Sequence, residues 1–180
     1  AEKLFLNYNE TKIWYEKNVS EFKALATYDY VIITTNAIVS NSAQLYAFIA
    51  HKQSLGYNVK VVTESNFDIL TGQAPNHRAE KIRQWLKNNY ASLGIKYVLL
   101  IGDPHPYESG EGDIPMKMCW PRYDEAHPNA PTDYFYADLT GNWDIDGDLY
   151  YGEWSDYITP GGVNFAPEVY VGRIPVYDAN

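Results

Sequence analysis

The sequence predicts an α/β fold, with a parallel sheet of about four strands flanked by helices. Short apolar segments rich in β-branched residues recur along the chain, which is typical of strands covered on both faces. Amphipathic segments of helical period separate them. This alternation of strand and helix favours crossover connections and a parallel sheet. The 180 residues are enough for one domain with a sizeable core.

The first three elements come from residues 30–62. Residues 30–34 and 59–62 form the first two predicted strands. The helix between them begins at an N-cap residue, Asn41 or Ser42, and ends at Gly56. Its predicted core-facing residues recur at helical spacing and are Leu45, Phe48, Ile49 and Leu55.

A second helix and two more strands complete the predicted sheet. The helix is capped near Asn76 and ends at Gly94. Its apolar stripe consists of Ile82, Trp85, Leu86, Tyr90 and Leu93. Residues 97–101 and 168–172 are the third and fourth strands. The domain is therefore predicted to span residues 28–180, with residues 1–27 an N-terminal extension or the tail of a preceding domain.

The long insertion between Pro104 and Pro167 shows no extended helical period and is rich in Pro, Gly, Asp and aromatic residues. More than about twelve to fifteen residues of plain loop are uncommon in a compact domain, so the insertion needs internal support. Residues 134–136, Tyr-Phe-Tyr, are predicted to add a short strand. A bound ion is the second expected source of support.

Residues 123–172 contain ten acidic side chains and no Lys or Arg. Within them, Asp144, Asp146 and Asp148 alternate around Gly147. Carboxylates so placed repel one another unless a cation lies between them, and Ca²⁺ accepts six to eight oxygen ligands in flexible geometry. The sequence predicts a calcium site, although a solvated acidic turn is the alternative. The predicted ligands are Asp144, Asp146, Asp148, the Tyr150 carbonyl and one or both of Glu153 and Asp156.

The acidic loop is similar to the first five positions of an EF-hand loop, where ligands stand at positions 1, 3 and 5. It differs because its Gly stands at position 4 and position 12 is not Glu. The spacing therefore favours a calcium loop without the flanking helices of an EF-hand. Asp133 and Asp138 precede the loop at close range, and turn capping and metal coordination both stay open for them.

Composition excludes several classes of function. The net charge of −9 is local, because removing the ten negative charges of residues 123–172 leaves about +1. No basic stripe is present, which argues against a nucleic-acid partner, and no apolar run approaches the length of a membrane span. A single cysteine excludes an internal disulfide and a multi-cysteine zinc site. The 17 tyrosines, with the acidic loop, favour an extracellular or cell-surface protein.

Candidate catalytic residues are few, and none is assigned a catalytic role. Cys119 follows neither a predicted strand end nor a helix start, so it is interpreted as a small buried thiol. His51 and His77 are predicted to be solvated or capping residues. His105 follows the third strand, at the edge where parallel sheets place their sites, and is a possible substrate contact. The Gly102-Asp103 turn lacks a nucleotide-binding fingerprint.

Several segments together resemble the gingipain family of cysteine peptidases in their order and spacing, from residue 28 to the end. They are YVLLIGD at 97–103, PTDYFYADL at 131–139, Gly141 with Trp143-Asp144, Gly152-Glu153, and PEVYVGRIP at 167–175. The resemblance implies a caspase-like, three-layer catalytic domain of two subdomains with bound calcium, of which this chain is the first. In that family the catalytic His, in a Gly-His-Gly setting, and the catalytic Cys lie in the second subdomain. No catalytic residue is therefore carried over.

Two functions follow as hypotheses. In the first, the chain is the N-terminal subdomain of a secreted, calcium-stabilised cysteine endopeptidase that acts on peptides or proteins, and its partner is the second subdomain of the same parent chain. The chain ends where the family's sequence continues into a further helix, which favours this hypothesis. In the second, the chain is a non-catalytic, calcium-stabilised binding or structural module. A small-molecule-binding flavodoxin-like domain is a third reading, supported only by the α/β pattern.

Overall fold

The computed structural model describes residues 27–107, 110–120 and 129–177. Its elements, in chain order, are β1 (Tyr30–Ile33), α1 (Asn36–Asn41), α2 (Ala43–Ser54), β2 (Val59–Val62), α3 (Glu64–Phe67), α4 (Arg78–Leu93), β3 (Tyr97–Gly102), β4 (Lys117–Cys119), β5 (Ala130–Thr132), a 3₁₀ turn (Tyr134–Tyr136), α5 (Trp154–Ile158) and β6 (Tyr170–Pro175). The proposed N-terminal extension, apart from residue 27, lies outside the described residues.

The main sheet has four parallel strands in the order β2-β1-β3-β6. This confirms the predicted α/β class and the parallel sheet of about four strands. In the described part of the chain, β6 pairs only with β3 and so forms one edge of the sheet. Side chains on one face of β6 are also exposed, with Tyr170 at 68% and Ile174 at 42%.

Each face of the sheet is covered by a helix. Successive side chains of a strand point to opposite faces, so Val31 and Ile33 pack with Ile82 and Leu86 of α4, whereas Ile32 packs on the other side. The second face is closed by α2, through residues that include Leu45, Phe48 and Ile49. This three-layer arrangement is consistent with a caspase-like fold.

The first predicted helix is divided in two by Ser42. Helix α1 was not predicted; it begins after Thr35, whose Oγ1 accepts a hydrogen bond from the Ile38 amide at 3.1 Å. Ser42 ends α1 and caps α2, as one of the two predicted caps, through a 3.4 Å bond from the Leu45 amide. The predicted core position of Leu55 is wrong: its side chain is 53% exposed, because the residue is the C-cap of α2 and lies outside the helix.

The N-cap of α4 is His77, one residue after Asn76, near which the cap was predicted, and the helix begins at Arg78. Asn76 has a left-handed φ of 69°, and its Oδ1 accepts a hydrogen bond from the Gly72 amide in the preceding turn. The end of the helix is as predicted. Gly94 adopts φ 73° and its amide bonds the Tyr90 carbonyl, a conformation that favours glycine.

The insertion contains a two-stranded antiparallel sheet, β4 with β5, followed by short helical turns. The strand predicted at 134–136 is wrong, since these residues form the 3₁₀ turn. Phe135 and Tyr136 are both buried, and a strand would point adjacent side chains to opposite faces. The fourth strand is also displaced to Tyr170–Pro175, because the Glu168 amide donates to the Ala137 carbonyl instead of to β3. The Glu168 carboxylate accepts hydrogen bonds from the Leu139 amide and the Thr140 hydroxyl.

Candidate functional site

The acidic loop brings three carboxylates together. One oxygen each from Asp144, Asp146 and Asp148 lies within 4.8 Å of the others. Asp144 is buried, whereas the other two are exposed. The backbone turns sharply between them, with φ of 80° at Gly147 and 72° at Leu149. The spacing that suggested a metal loop thus corresponds to carboxylates that are close in space.

Backbone amides fix two of these carboxylates. Oδ1 of Asp144 accepts a hydrogen bond from the Leu149 amide at 3.2 Å, and Oδ1 of Asp148 accepts one from the Tyr150 amide at 2.8 Å. The donor set consists entirely of carboxylate oxygens, which are hard ligands of the kind Ca²⁺ selects. These three side chains are therefore the residues of the loop that could hold a divalent cation.

The other predicted ligands occupy different positions. Both oxygens of Asp156 accept backbone hydrogen bonds, from Ile145 at 2.6 Å and from Gly152 at 3.0 Å. Burial raises the pKa of the Asp156 carboxyl, although these amides and that of Glu153 act to lower it. Asp156 therefore links the two ends of the acidic loop, at Ile145 and Gly152, through its carboxylate. Glu153 bonds the Ser155 hydroxyl at 2.5 Å at the start of α5.

A second buried carboxylate, Asp138, anchors the loop to the domain. Its side chain is fully buried and accepts four hydrogen bonds. The donors are the Thr140 amide at 3.1 Å, the Gly141 amide at 2.7 Å, the Trp143 indole Nε1 at 2.8 Å and the Asn164 amide at 2.9 Å. The sequence left turn capping and metal coordination open for Asp138, and these contacts are those of turn capping.

Arg83 of α4 holds the same turn from the helix side. Its guanidinium donates to the Asp138 carbonyl at 2.8 Å and 2.5 Å and to the Gly141 carbonyl at 2.8 Å. Burial lowers the pKa of Arg83 to about 10, an effect that nearby Asp138 opposes. Gly141 is required here because an added Cβ would lie 2.4 Å from an Asp138 carboxylate oxygen and 2.6 Å from the Gly162 carbonyl oxygen.

Asp133, the other carboxylate considered as a turn cap or ligand, is paired with Arg173 of β6. The guanidinium donates Nε and Nη2 to the two carboxylate oxygens at 2.8 and 2.7 Å. A third bond, from Nη1 to the Ile114 carbonyl, measures 2.6 Å. This bidentate pair ties the edge strand to the insertion.

The carboxyl edge of the main sheet carries polar groups at two strand ends. Glu64, after β2, accepts the Asn36 amide through both oxygens at 3.0 and 2.8 Å. After β3, His105 Nδ1 lies 2.5 Å from Asp103 Oδ1. The His105 side chain is 46% exposed. The Asp103 carboxylate therefore fixes the imidazole through Nδ1, at the edge where parallel sheets bind ligands. The predicted role of His105 as a substrate contact stays a prediction.

The structure contains a buried charged pair that the sequence did not predict. Glu80 of α4 and Lys117 of β4 lie 2.5 Å apart, Nζ to Oε1. Both are buried, and they come from segments 37 residues apart in the chain. No local pattern signals such a pair, since Glu80 falls in the first turn of an ordinary helix.

Cys119, the last residue of β4, lacks the surroundings of a nucleophile. Burial raises its pKa to about 12; nearby Asp156 adds to this effect and Lys117 opposes it. In the described part of the chain, its Sγ hydrogen-bonds the Lys117 carbonyl, at 3.8 Å. An activated thiol needs a lowered pKa or a base within reach, so the structure agrees with the interpretation of Cys119 as a buried structural thiol.

Native Cys119 is expected to react with a disulfide reagent such as DTNB at pH 8 at least about 100-fold more slowly than in urea, because burial and the raised pKa suppress the thiolate. The unfolded chain provides the control and should titrate one thiol per molecule, as the single cysteine requires. Equal rates in the native and unfolded protein would contradict the assignment.

Together, the parallel sheet flanked by helices and the acidic loop anchored on Asp138 define a three-layer α/β domain. The model of Peptidase family C25, the gingipain family, matches residues 23–180. The chain belongs to this family, and it is a gingipain-like cysteine peptidase domain. Comparison with curated proteins and with solved structures gave no match. Among the described residues, no helix is long and apolar enough to cross a membrane.

Proposed function

We propose that this chain forms the first subdomain of a cysteine endopeptidase and that the nucleophile and base come from a second subdomain of the same protein. The observation that carries the proposal is the state of Cys119. The only cysteine in a chain of a cysteine peptidase family is buried, with its pKa raised to about 12. A peptidase nucleophile requires the opposite environment, so the catalytic thiol belongs elsewhere in the protein.

The role of the first subdomain is to supply a wall of the substrate site. The carboxyl ends of β2 and β3 present Glu64, Asp103 and His105 at one edge of the sheet. Parallel sheets bind ligands at this edge. The exposed outer side of β6 is the surface on which we place the second subdomain, because an unpaired strand edge favours further pairing. Substrates are then peptides or proteins, as the peptidase family suggests.

We further propose that the acidic loop binds calcium through Asp144, Asp146 and Asp148, with the Tyr150 carbonyl completing the set. Support comes from the 4.8 Å cluster of ligand atoms. The ion would neutralise three converging carboxylates and stabilise the insertion; we assign it no catalytic step. Asp156 and Glu153 are given structural roles, because their carboxylates are engaged within the loop and at the start of α5. A calcium-stabilised domain suits an extracellular location, which we also propose.

The 180-residue chain is expected to show no hydrolysis of peptide substrates, since Cys119 is buried and deactivated. The assay uses fluorogenic peptides with Arg, Lys and apolar residues before the cleavable bond, with and without reductant. A Cys119→Ala variant is the matched control and should give the same background rate. Turnover that depends on Cys119 would overturn the proposal and make this chain a complete catalyst.

The same assay separates the two hypotheses when it is applied to the whole protein that contains this chain. If that protein hydrolyses peptides and Cys119→Ala leaves the rate unchanged, the catalytic thiol is outside this subdomain. If the whole protein is folded and inactive under every reductant and calcium condition, the chain is a non-catalytic module.

A further inference from the structure

The acidic loop contains the only Asp-Gly peptide bond of the chain, Asp146-Gly147. The side chain of an Asp and the amide nitrogen of the next residue can close a five-membered imide ring. Glycine hinders this reaction least, because no side chain stands beside the attacking nitrogen and the backbone can approach closely. The reaction also requires an accessible carboxyl group, a free amide and a backbone outside regular secondary structure.

The structure meets each of these requirements at Asp146-Gly147. Both residues are exposed and lie in a run of bends outside the helices and strands. A Cβ built on Gly147 meets no atom within 4 Å, so the space around the nitrogen is open. Among the described residues, neither the Asp146 carboxylate nor the Gly147 amide makes a hydrogen bond. The amides of Ile145 and Leu149, by contrast, are held by the carboxylates of the loop.

A second bond of similar intrinsic reactivity, Asn41-Ser42, shows how the fold prevents the same reaction elsewhere. The Ser42 amide donates to the Ile38 carbonyl at 2.9 Å, at the end of α1. The Ser42 hydroxyl oxygen accepts a hydrogen bond from the Leu45 amide and caps α2. The attacking nitrogen is therefore engaged, and the backbone on both sides of it is helical. Of the two bonds, the structure leaves Asp146-Gly147 free to react.

We propose that Asp146-Gly147 isomerises spontaneously to isoaspartate while the acidic cluster is empty, and that this reaction limits the lifetime of the loop as a cation site. The Gly147 nitrogen attacks Cγ of Asp146, so that an N–C bond forms, an N–H and a C–OH bond break, and one water leaves. Water then reopens the imide. Opening at Cγ restores Asp, whereas opening at the original backbone carbonyl carbon gives isoaspartate. The net reaction consumes nothing and leaves the mass of the chain unchanged.

Isoaspartate changes the geometry of the cluster. It adds one carbon to the main chain between Asp144 and Asp148, and the remaining carboxylate is attached directly to Cα. Because the three ligand oxygens lie within 4.8 Å of one another, such a displacement removes Asp146 from the set. A bound cation holds the Asp146 carboxylate ionised and in place, which slows the attack. This protection rests on the proposed calcium site, whereas isomerisation of the ion-free chain does not.

Incubation of the 180-residue chain in chelator at neutral pH and 37 °C tests the reaction. An isoaspartate methyltransferase counts the product, and lost cleavage before residue 146 by an Asp-specific endoprotease locates it. Because the free amide requires no opening of the fold, the native chain should react within about 10-fold of the rate of an unstructured peptide of residues 142–152. A slower reaction of the native chain would show that the fold protects the bond, and would overturn the proposal.

Two variants establish the position. Asp146→Glu keeps an exposed carboxylate and its charge, but it would have to close a six-membered ring, so isoaspartate formation at this bond should be lost. Asn41→Gln makes the same change at the bond that α1 protects and should leave the total unchanged. If Asp146→Glu accumulates as much isoaspartate as the native chain, the modified bond lies elsewhere and the proposal is wrong.

Calcium tests the protection. At ~100 times its Kd, it leaves roughly 1% of the loops empty, so isoaspartate should accumulate about 100-fold more slowly than in chelator. The calcium-induced rise in melting temperature should also decline in aged chain in proportion to its isoaspartate content. If fresh chain shows that rise but ages equally fast in calcium and in chelator, the protection is wrong and the calcium site stands. If fresh chain shows no rise, the calcium site is wrong and the protection with it.

Discussion

Asp138→Ala is expected to lower the free energy of unfolding by about 3–5 kcal/mol, the range measured when one partner of a buried charged network is removed. The carboxylate is fully buried, and its loss leaves four donors without an acceptor, including the Trp143 indole. Each unsatisfied donor costs about 1–3 kcal/mol when water cannot replace the acceptor. Since whole domains are stable by only about 5–15 kcal/mol, this loss removes a substantial share of the stability of the domain.

Urea denaturation monitored by circular dichroism measures this loss. Asp138→Asn should be intermediate, because the amide keeps one acceptor oxygen but turns an N–H group toward the remaining donors. Asp113→Ala is the matched control; its carboxylate is 53% exposed and 3.9 Å from Arg78, so it should change stability by less than about 1 kcal/mol. If Asp138→Ala unfolds at the native urea concentration, the carboxylate is not the anchor of the loop.

The sheet could be predicted from the sequence because its first three strands are covered on both faces. Burial on both sides demands continuous apolar side chains, so residues 30–34, 59–62 and 97–101 carry a signal visible without an alignment. The edge strand β6 carries a weaker signal, and its bounds were displaced by two residues at the start. The strand predicted at 134–136 was wrong because aromatic residues are enriched in strands but also occur in buried turns such as this one.

In the candidate site, contacts between sequence neighbours could be predicted, whereas contacts between distant parts of the chain could not. Asp144, Asp146 and Asp148 are neighbours in sequence, so their spacing alone placed them together. The groups that support them are not: Arg83 reaches the Asp138 turn across 55 residues, and Arg173 reaches Asp133 across 40. In a single sequence, these two arginines cannot be distinguished from solvent-exposed residues. Only the fold brings Glu80 to Lys117.

Calcium is expected to raise the melting temperature of the chain by about 5–10 °C, and excess chelator should reverse the shift. An ion at ~100 times its Kd stabilises the native state by roughly 2.7 kcal/mol, and each kcal/mol corresponds to about 2–4 °C in a chain of this length. The physical cause is the relief of repulsion among three carboxylates whose ligand oxygens lie within 4.8 Å. Magnesium should give a smaller shift, because it demands a tighter octahedral shell and keeps its waters.

Asp146→Ala distinguishes a lost ligand from a damaged fold. Asp146 is exposed, and its removal deletes one ligand and also one of the three repelling charges. Without calcium, the variant should therefore melt at or slightly above the native chain; with calcium, it should show almost no shift. Glu153→Gln, which removes the same charge from a carboxylate bonded to Ser155 instead, should keep the full shift. A native chain that melts identically in calcium and in chelator would make the loop a solvated acidic turn. If both variants lose the calcium-induced rise in melting temperature equally, calcium responds to the total charge of the acidic loop rather than to three specific ligands.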